Sequence, residues 1–342
     1  ALVMGGGEAF DVVEQADVDA PQFIQIGAVL PVDDLFPPEE LARYPEGSLA
    51  AVTGPDGHLY GKPHFVLPQV LLWNTALFEA AGLDRAPETW DEIIEFGQKL
   101  TEGEQWGYAY GLAPNRDTYY IFASYLYQAG GELFNDDFTA AFNSDAGKQA
   151  LQFISDLRNE YKIVPPGVNT YDGDDTMNLF IRGQGAMVQN WGFTIDRATN
   201  LPESVVKDTF DVAPLPVGPG GERAGYLVTF PLIIPASAPN PDAAKVFVEF
   251  MTNKEAQKWM LLKEPGNVVV PPDVFEIPEV METVPGAEAI RQMVSVSKSE
   301  YHPKSGEVVT ILVEEIQAAV AEQKSVEQAL ADAEARVNAL VQ

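Results

Sequence analysis

The chain has 342 residues, 46% hydrophobic and 10% aromatic, enough for more than one packed core, so two lobes are the natural expectation. A formal charge of -30, from 51 acidic against 21 basic residues spread along the chain, repels nucleic acid, anionic membranes and polyanionic substrates. With no Cys, disulfides, thiol catalysis and thiolate metal sites are excluded, and His58, His64 and His302 lack the spacing of a helical zinc site, so neither metal nor cofactor is expected.

Residues 1–10 lack the charged start and apolar stretch of a signal peptide, and no run approaches the roughly 18 apolar residues of a membrane span. The chain begins without Met, so upstream sequence is expected to be missing. DVV at 11–13 reads as a short strand, followed by a polar loop opening toward a helix that ends near Gly27. LPVDDLFPPEEL is too rich in Pro for a continuing helix. Asp56 and Gly57 make a turn between two short extended segments, and VLLWN at 70–74 is a buried strand.

Thr89 and Glu92 form a capping box ahead of a helix with Ile93, Phe96, Gly97 and Leu100 on one face. YAYGLAPNRDTYY reads as a strand running into a loop, and IFASYLYQAGG as an apolar helix stopped by Gly130 and Gly131. Ser144 caps a helix whose stripe is Leu151, Ile154, Leu157 and Tyr161, and PPG at 165–167 ends that unit. A helix over 176–182, a strand in GAMVQNW, a strand in FDVAPLPVG and a Gly/Pro loop through Gly221 follow. GYLVTFPLIIP is extended, DAAKVFVEFM is helical, and Thr252 with Glu255 makes a second capping box. In the C-terminal helix Val326, Leu330, Ala333, Val337 and Leu340 repeat at steps of four and three. Strands alternating with helices predict an α/β protein with mostly parallel sheets.

In this order the segments resemble the extracellular solute-binding proteins of bacterial ATP-binding-cassette importers, the family that includes maltose-binding protein. LYGKPHFVLPQVLLWN, the PETWDE helix start, AGGELF, AFNSDAGKQALQFISDL, LFIRGQGAMVQNW, FDVAPLPVGPGG, AAKVFVEFMTNKEAQ and SVEQALADAEARV are each similar to family landmarks. Trp73 replaces the usual Tyr, Phe10 stands where the family has Pro, and the family's leading strand and helices are absent. The resemblance implies a type II binding-protein fold of two α/β lobes, each a mostly parallel sheet flanked by helices, with a ligand cleft and a closing hinge. It puts residues 1–110 with 229–270 in the first lobe and 111–228 with 271–342 in the second, crossing near 109–112, 226–230 and 268–275. It further implies a monomer outside the cytoplasm, periplasmic or a cell-surface lipoprotein, serving a membrane permease.

A sugar presents hydroxyls and apolar C–H faces, so its site needs aromatics together with fixed donors and acceptors. The aromatic near QNWGFTID stacks on sugar in the family, which makes Asn190, Trp191 and Phe193 candidates. Asn115, Asp117, Tyr119 and Tyr120 lie in the expected loop into the second lobe, with one tyrosine of the pair expected to face the ligand and the other to pack inward. Gln15, Asp17 and Asp19 follow the first strand, and His64 and Gln69 straddle another strand-end loop. Tyr226 and Thr229 sit at the second crossover, with a hinge role as the alternative. Asn267, Tyr301, His302 and Lys304 complete the set from the resemblance. Two rivals are weighed. A glycoside hydrolase needs only two carboxylates facing a cleft, and 51 acids make such a pair cheap by chance. A binding protein for another solute, ferric iron held by Tyr119 and Tyr120 or a polyol, keeps the fold and changes the cargo. DGDDTMN at 172–178 lacks the glycine and terminal glutamate positions of an EF-hand loop and reads as a helix-capping turn.

Overall fold

The computed structural model describes residues 10–263, 268–269, 271–300 and 302–342. Its strands are β1 (Val13–Glu14), β2 (Lys62–Asn74), β3 (Met187–Trp191), β4 (Phe210–Ala213), β5 (Leu227–Ile233) and β6 (Val268–Val269). The helices of eight residues or more among the described residues are α1 (Trp90–Leu100), α2 (Arg116–Gln128), α3 (Asp145–Asn159), α4 (Gly173–Ile181), α5 (Phe193–Asn200), α6 (Pro241–Thr252), α7 (Lys254–Lys263), α8 (Ala287–Val296), α9 (Ser305–Val320) and α10 (Val326–Asn338).

The chain divides into two compact units, residues 1–68 with 227–306 and residues 69–226 with 307–342. The first and last changes of unit thus fall at 68/69 and 306/307, not at the expected 109–112 and 268–275; the middle one is at 226/227. The reason lies in β2. Its thirteen residues form one continuous strand where a short extended segment after the Asp56–Gly57 turn and a separate five-residue strand were expected, and the boundary falls inside it. Residues 106–109 instead pair with β3, within the second unit.

In the first unit β5 lies antiparallel to β1 and to the first half of β2, with Val66 opposite Thr229, and β6 pairs antiparallel with Phe65 and Val66 of β2. The register shifts between Pro63 and Phe65, making His64 a bulge residue. Phe65 and Phe230 stack with ring centroids 4.4 Å apart. Lys62, almost fully buried, donates to the Leu35 carbonyl at 3.2 Å and pairs with Glu40 at 2.9 Å, which satisfies a charge too costly to bury alone.

In the second unit β3 and β4 flank the second half of β2, both antiparallel. Val70, Leu71 and Leu72 of β2 are completely buried, each contributing about 1.5–3 kcal/mol. The expected mostly parallel pairing is therefore corrected: every ladder between named strands among the described residues is antiparallel. Parallel pairing needs a long crossover connection, and here it occurs where 106–109 meets β3 after the chain has passed through α2, α3 and α4. That segment lies tight on α1: a Cβ on Gly107 would sit 2.1 Å from the Gly97 carbonyl oxygen. Trp90 of the PETWDE helix start stacks on Phe153 at 4.2 Å and donates from Nε1 to Gln128 at 2.7 Å, tying α1 to α3 and α2.

Helix caps follow the sequence in most places. Thr89 accepts the Glu92 N–H as an N-cap, but the expected box with Glu92 does not close: the Glu92 carboxylate accepts from the Glu88 N–H, not that of Thr89, and from both terminal nitrogens of Arg85, whose guanidinium holds that carboxyl down to about 2. Asp172 and Asp175 make a reciprocal capping box at α4, so DGDDTMN is a capping turn. The second expected box is corrected. Thr252 still belongs to α6 and donates back to the Val248 carbonyl, while Asn253 accepts the Ala256 N–H at 2.8 Å and caps α7.

Candidate functional site

Within the second unit, the face of β2 that carries Gln69 lies directly opposite Trp191 at the end of β3. Cross-strand partners share one face of a sheet, so the amide and the indole stand side by side. α4 starts against them: Asn190 donates from Nδ2 to the Gly173 carbonyl and to Thr176, each at 2.9 Å, while Gly173 donates its N–H to Asp117 at 3.0 Å. Gln69, Asp117, Thr176, Gln189, Asn190 and Trp191 line one narrow cleft whose volume is about 10 Å³. That is on the order of one water molecule.

Asp117 is half-buried, and its carboxyl is pushed above the ordinary aspartate range by burial first and by Asp172 and Asp174 nearby, against the Gly173 N–H and Arg116, which favour the charge. Beside it the Trp191 ring meets Tyr120 edge-on at 5.5 Å, and Tyr120 packs on Tyr226 at 4.8 Å. Tyr119 meets Tyr226 edge-on at 5.6 Å.

Four of the expected residues, Gln69, Asp117, Asn190 and Trp191, are therefore brought together. Asn115 is an exposed N-cap whose side chain accepts the Asp117 N–H at 2.8 Å. The placement of Tyr119 and Tyr120 is corrected: both lie in the first turns of α2 rather than in a loop, and both are buried, with Tyr120 against the cleft residue Trp191. The Asn115 cap starts the helix five residues before the apolar run that suggested it. Phe193 opens α5, a helix the sequence did not announce, and lies near Gly173. Tyr226 is fully buried. Sequence reasoning missed Gln189, Thr176 and Gly111, although Gln189 sits two residues before Trp191 and the alternation of a strand places it on the same face.

In the first unit Gln15 donates to Asp19 at 3.0 Å, and Asp17 accepts the Val18 N–H at 2.9 Å. Ser305 donates to the Val18 carbonyl, bringing this loop beside buried His302, whose Nδ1 accepts the Lys304 N–H at 3.0 Å. His64 bonds Glu14 through Nδ1 at 2.7 Å, and its Nε2 is buried with no partner among the described residues, as is the Thr229 hydroxyl. Asn267 and Tyr301 lie outside the described residues.

Residues 1–258 match the family model described as bacterial extracellular solute-binding protein. A probable amino-acid ABC transporter periplasmic-binding protein of Sinorhizobium fredii is 28% identical over 94% of this chain and 71% of its own length. Other relatives, binding proteins of Brucella species, are 28% identical over 68% of this chain, which spans 56% of their length. Among solved structures, maltose-bound MalE3 of Thermotoga maritima superposes with a TM-score of 0.86 at 26% identity, covering 98% of this chain and 85% of that one. A solute-binding protein of Thermotoga lettingae bound to α-D-tagatose gives 0.84 at 25% identity, covering 97% and 85%. No helix among the described residues is long and apolar enough to cross a membrane.

Proposed function

The chain belongs to the bacterial extracellular solute-binding protein family, and from that premise we propose that it binds a neutral sugar or polyol and delivers it to the permease of an ATP-driven importer. The observation that carries the reading is the pairing of Trp191 with Gln69 on one sheet face, next to Asp117 and Asn190. An indole offers apolar area to the C–H face of a sugar, and amide and carboxylate groups supply the fixed partners its hydroxyls require. The solved relatives named above hold maltose and tagatose, ligands of that chemistry.

An amino-acid cargo, the one in the Sinorhizobium protein's name, fits these residues less well. An α-carboxylate calls for a cation or a cluster of donors, and the charged group lining this cleft is the acid Asp117. Hydrolysis is not the family's activity; its members bind. The monomeric state, and hinge closure in which the ligand supplies only its differential affinity for two states, belong to the same proposal.

A thermal-shift screen against mono- and oligosaccharides, polyols, amino acids and ferric iron tests it, because a ligand that binds only the native state raises the melting temperature by mass action. The expected result is a saturable shift with one sugar or polyol, weakened at least about tenfold in affinity by Trp191→Ala. A shift with an amino acid alone, or with iron alone, overturns the reading.

A further inference from the structure

A chain of buried hydrogen bonds runs beneath the cleft and fixes which way one amide points. The Tyr108 and Tyr125 hydroxyls lie 2.8 Å apart, and Tyr108 donates to Gln189 Oε1 at 2.9 Å. With its oxygen so engaged, Gln189 turns Nε2 toward Gln69 and donates to Oε1 at 2.8 Å. Ser124 reaches the same oxygen independently. It accepts the Tyr226 N–H at 2.8 Å, a group that can only donate, and gives its own proton to Gln69 Oε1 at 2.6 Å.

Amide orientation is assigned from such networks, and here two routes agree. Reversing the chain would turn the Gln69 and Gln189 amides over together and leave the Ser124 and Tyr125 hydroxyl protons without acceptors, both on residues fully buried. Burial also pushes both phenols well up, so the chain holds its protons through the physiological range. Gln69 Oε1 is thus committed twice, and the Nε2 N–H pair, which has no partner among the described residues, is the part of the side chain left to the cleft.

We propose that Gln69 is a specificity residue: its locked N–H pair donates to one hydroxyl of a neutral polyhydroxylated ligand while Asp117 accepts that hydroxyl's proton. The inference rests on the sugar or polyol reading above and names how it is enforced. The cleft volume of about 10 Å³ admits one hydroxyl-sized group. A hydroxyl both accepts and donates, as this pair demands. A carboxylate placed there meets the Asp117 charge, and an ammonium leaves the Gln69 donor unanswered. The Tyr–Gln–Gln relay is the positioning element.

The test is calorimetric titration of the full chain with maltose, with D-tagatose and with whichever sugar or polyol gives a thermal shift. Gln69→Glu keeps an oxygen for Ser124 and Gln189 but turns the donor facing the cleft into an acceptor. Its affinity is expected to fall about 10- to 100-fold at pH 7.5. It should then recover relative to the unmodified protein as pH falls toward 5 and the new carboxyl regains a proton to donate, a recovery that mere loss of packing does not give. If Gln69→Glu does not fold, Tyr108→Phe decides: it removes the donor that polarises Gln189 at nearly constant volume, and affinity is expected to fall at least about threefold. Unchanged affinity in Gln69→Glu, or in Tyr108→Phe where the first variant is unfolded, overturns the assignment while leaving the sugar reading intact. Failure of the unmodified protein to bind any sugar or polyol overturns both.

Discussion

Asp117 holds one carboxylate oxygen on the Gly173 N–H and lines the cleft with the group as a whole, in a setting that disfavours its charge. Because its folded pKa lies above the ordinary aspartate value of about 3.9, the native state retains a proton there that the unfolded chain has already lost. Stability linked to this group is therefore greatest below that value and declines as pH rises through the folded pKa. Asp117→Asn removes the ionisation and keeps an oxygen for Gly173. Urea unfolding is expected to show the variant more stable than the parent at pH 7.5, with the gap shrinking toward pH 4.5; a gap that widens on acidification sinks the argument. Ligand affinity moves the other way, because an amide is a poorer acceptor for a hydroxyl than a carboxylate. A site that binds less well once its carboxylate is neutralised, in a protein that folds better, is one where function holds a group against stability.

At the level of elements the caps mark what the sequence makes legible. Thr89, Ser144 and Ser325 each accept the N–H three residues on, as their position before an apolar run indicates, because an N-cap is a local bargain between one side chain and the next turn. The Thr252 box fails for an equally local reason: a Thr at the last turn of a helix can bond its own i−4 carbonyl, and an Asn stood next to it. Asn253→Ala is expected to cost about 1 kcal/mol in chemical denaturation, since it removes the bond to Ala256. No measurable loss would return the cap to Thr252. Strand partners are another matter. Alternation shows that Gln189 and Trp191 share a face, but the pairing of Trp191 with Gln69, more than a hundred residues earlier, depends on a register that tertiary packing sets. The same limit explains the parallel expectation. Alternating helices and strands suggest crossovers, yet β2, buried along most of its length, is flanked by strands that return against it, and among the described residues the parallel sense is kept by isolated bridges, at Thr89 with Val217 and along the short 106–109 segment.

For the whole molecule the charge is the quantity to test. Lys245, Lys258, Lys324 and Arg336 already sit on the carboxylates of Asp34, Glu279, Asp332 and Glu314, at 2.7, 2.6, 2.7 and 2.6 Å, and all four pairs are at least partly exposed, where each is worth about 0–1 kcal/mol. With 51 acids against 21 bases, one-to-one pairing would still leave most carboxylates without a cation to balance them. Two effects then oppose. Salt weakens the surface pairs, which lowers stability, and it screens repulsion summed over the excess charge, which raises it. The pairs are few and individually small, while the repulsion grows roughly with the square of the net charge, so screening wins. Raising sodium chloride from about 10 mM to about 150 mM, where the screening length falls from roughly 30 to 8 Å, is expected to raise the melting temperature. A sugar or polyol is neutral, so its saturating thermal shift should be nearly the same at both salt concentrations. A melting temperature that falls with salt would mean that the ion pairs outweigh the net charge, and a ligand shift that collapses with salt would point to a charged cargo.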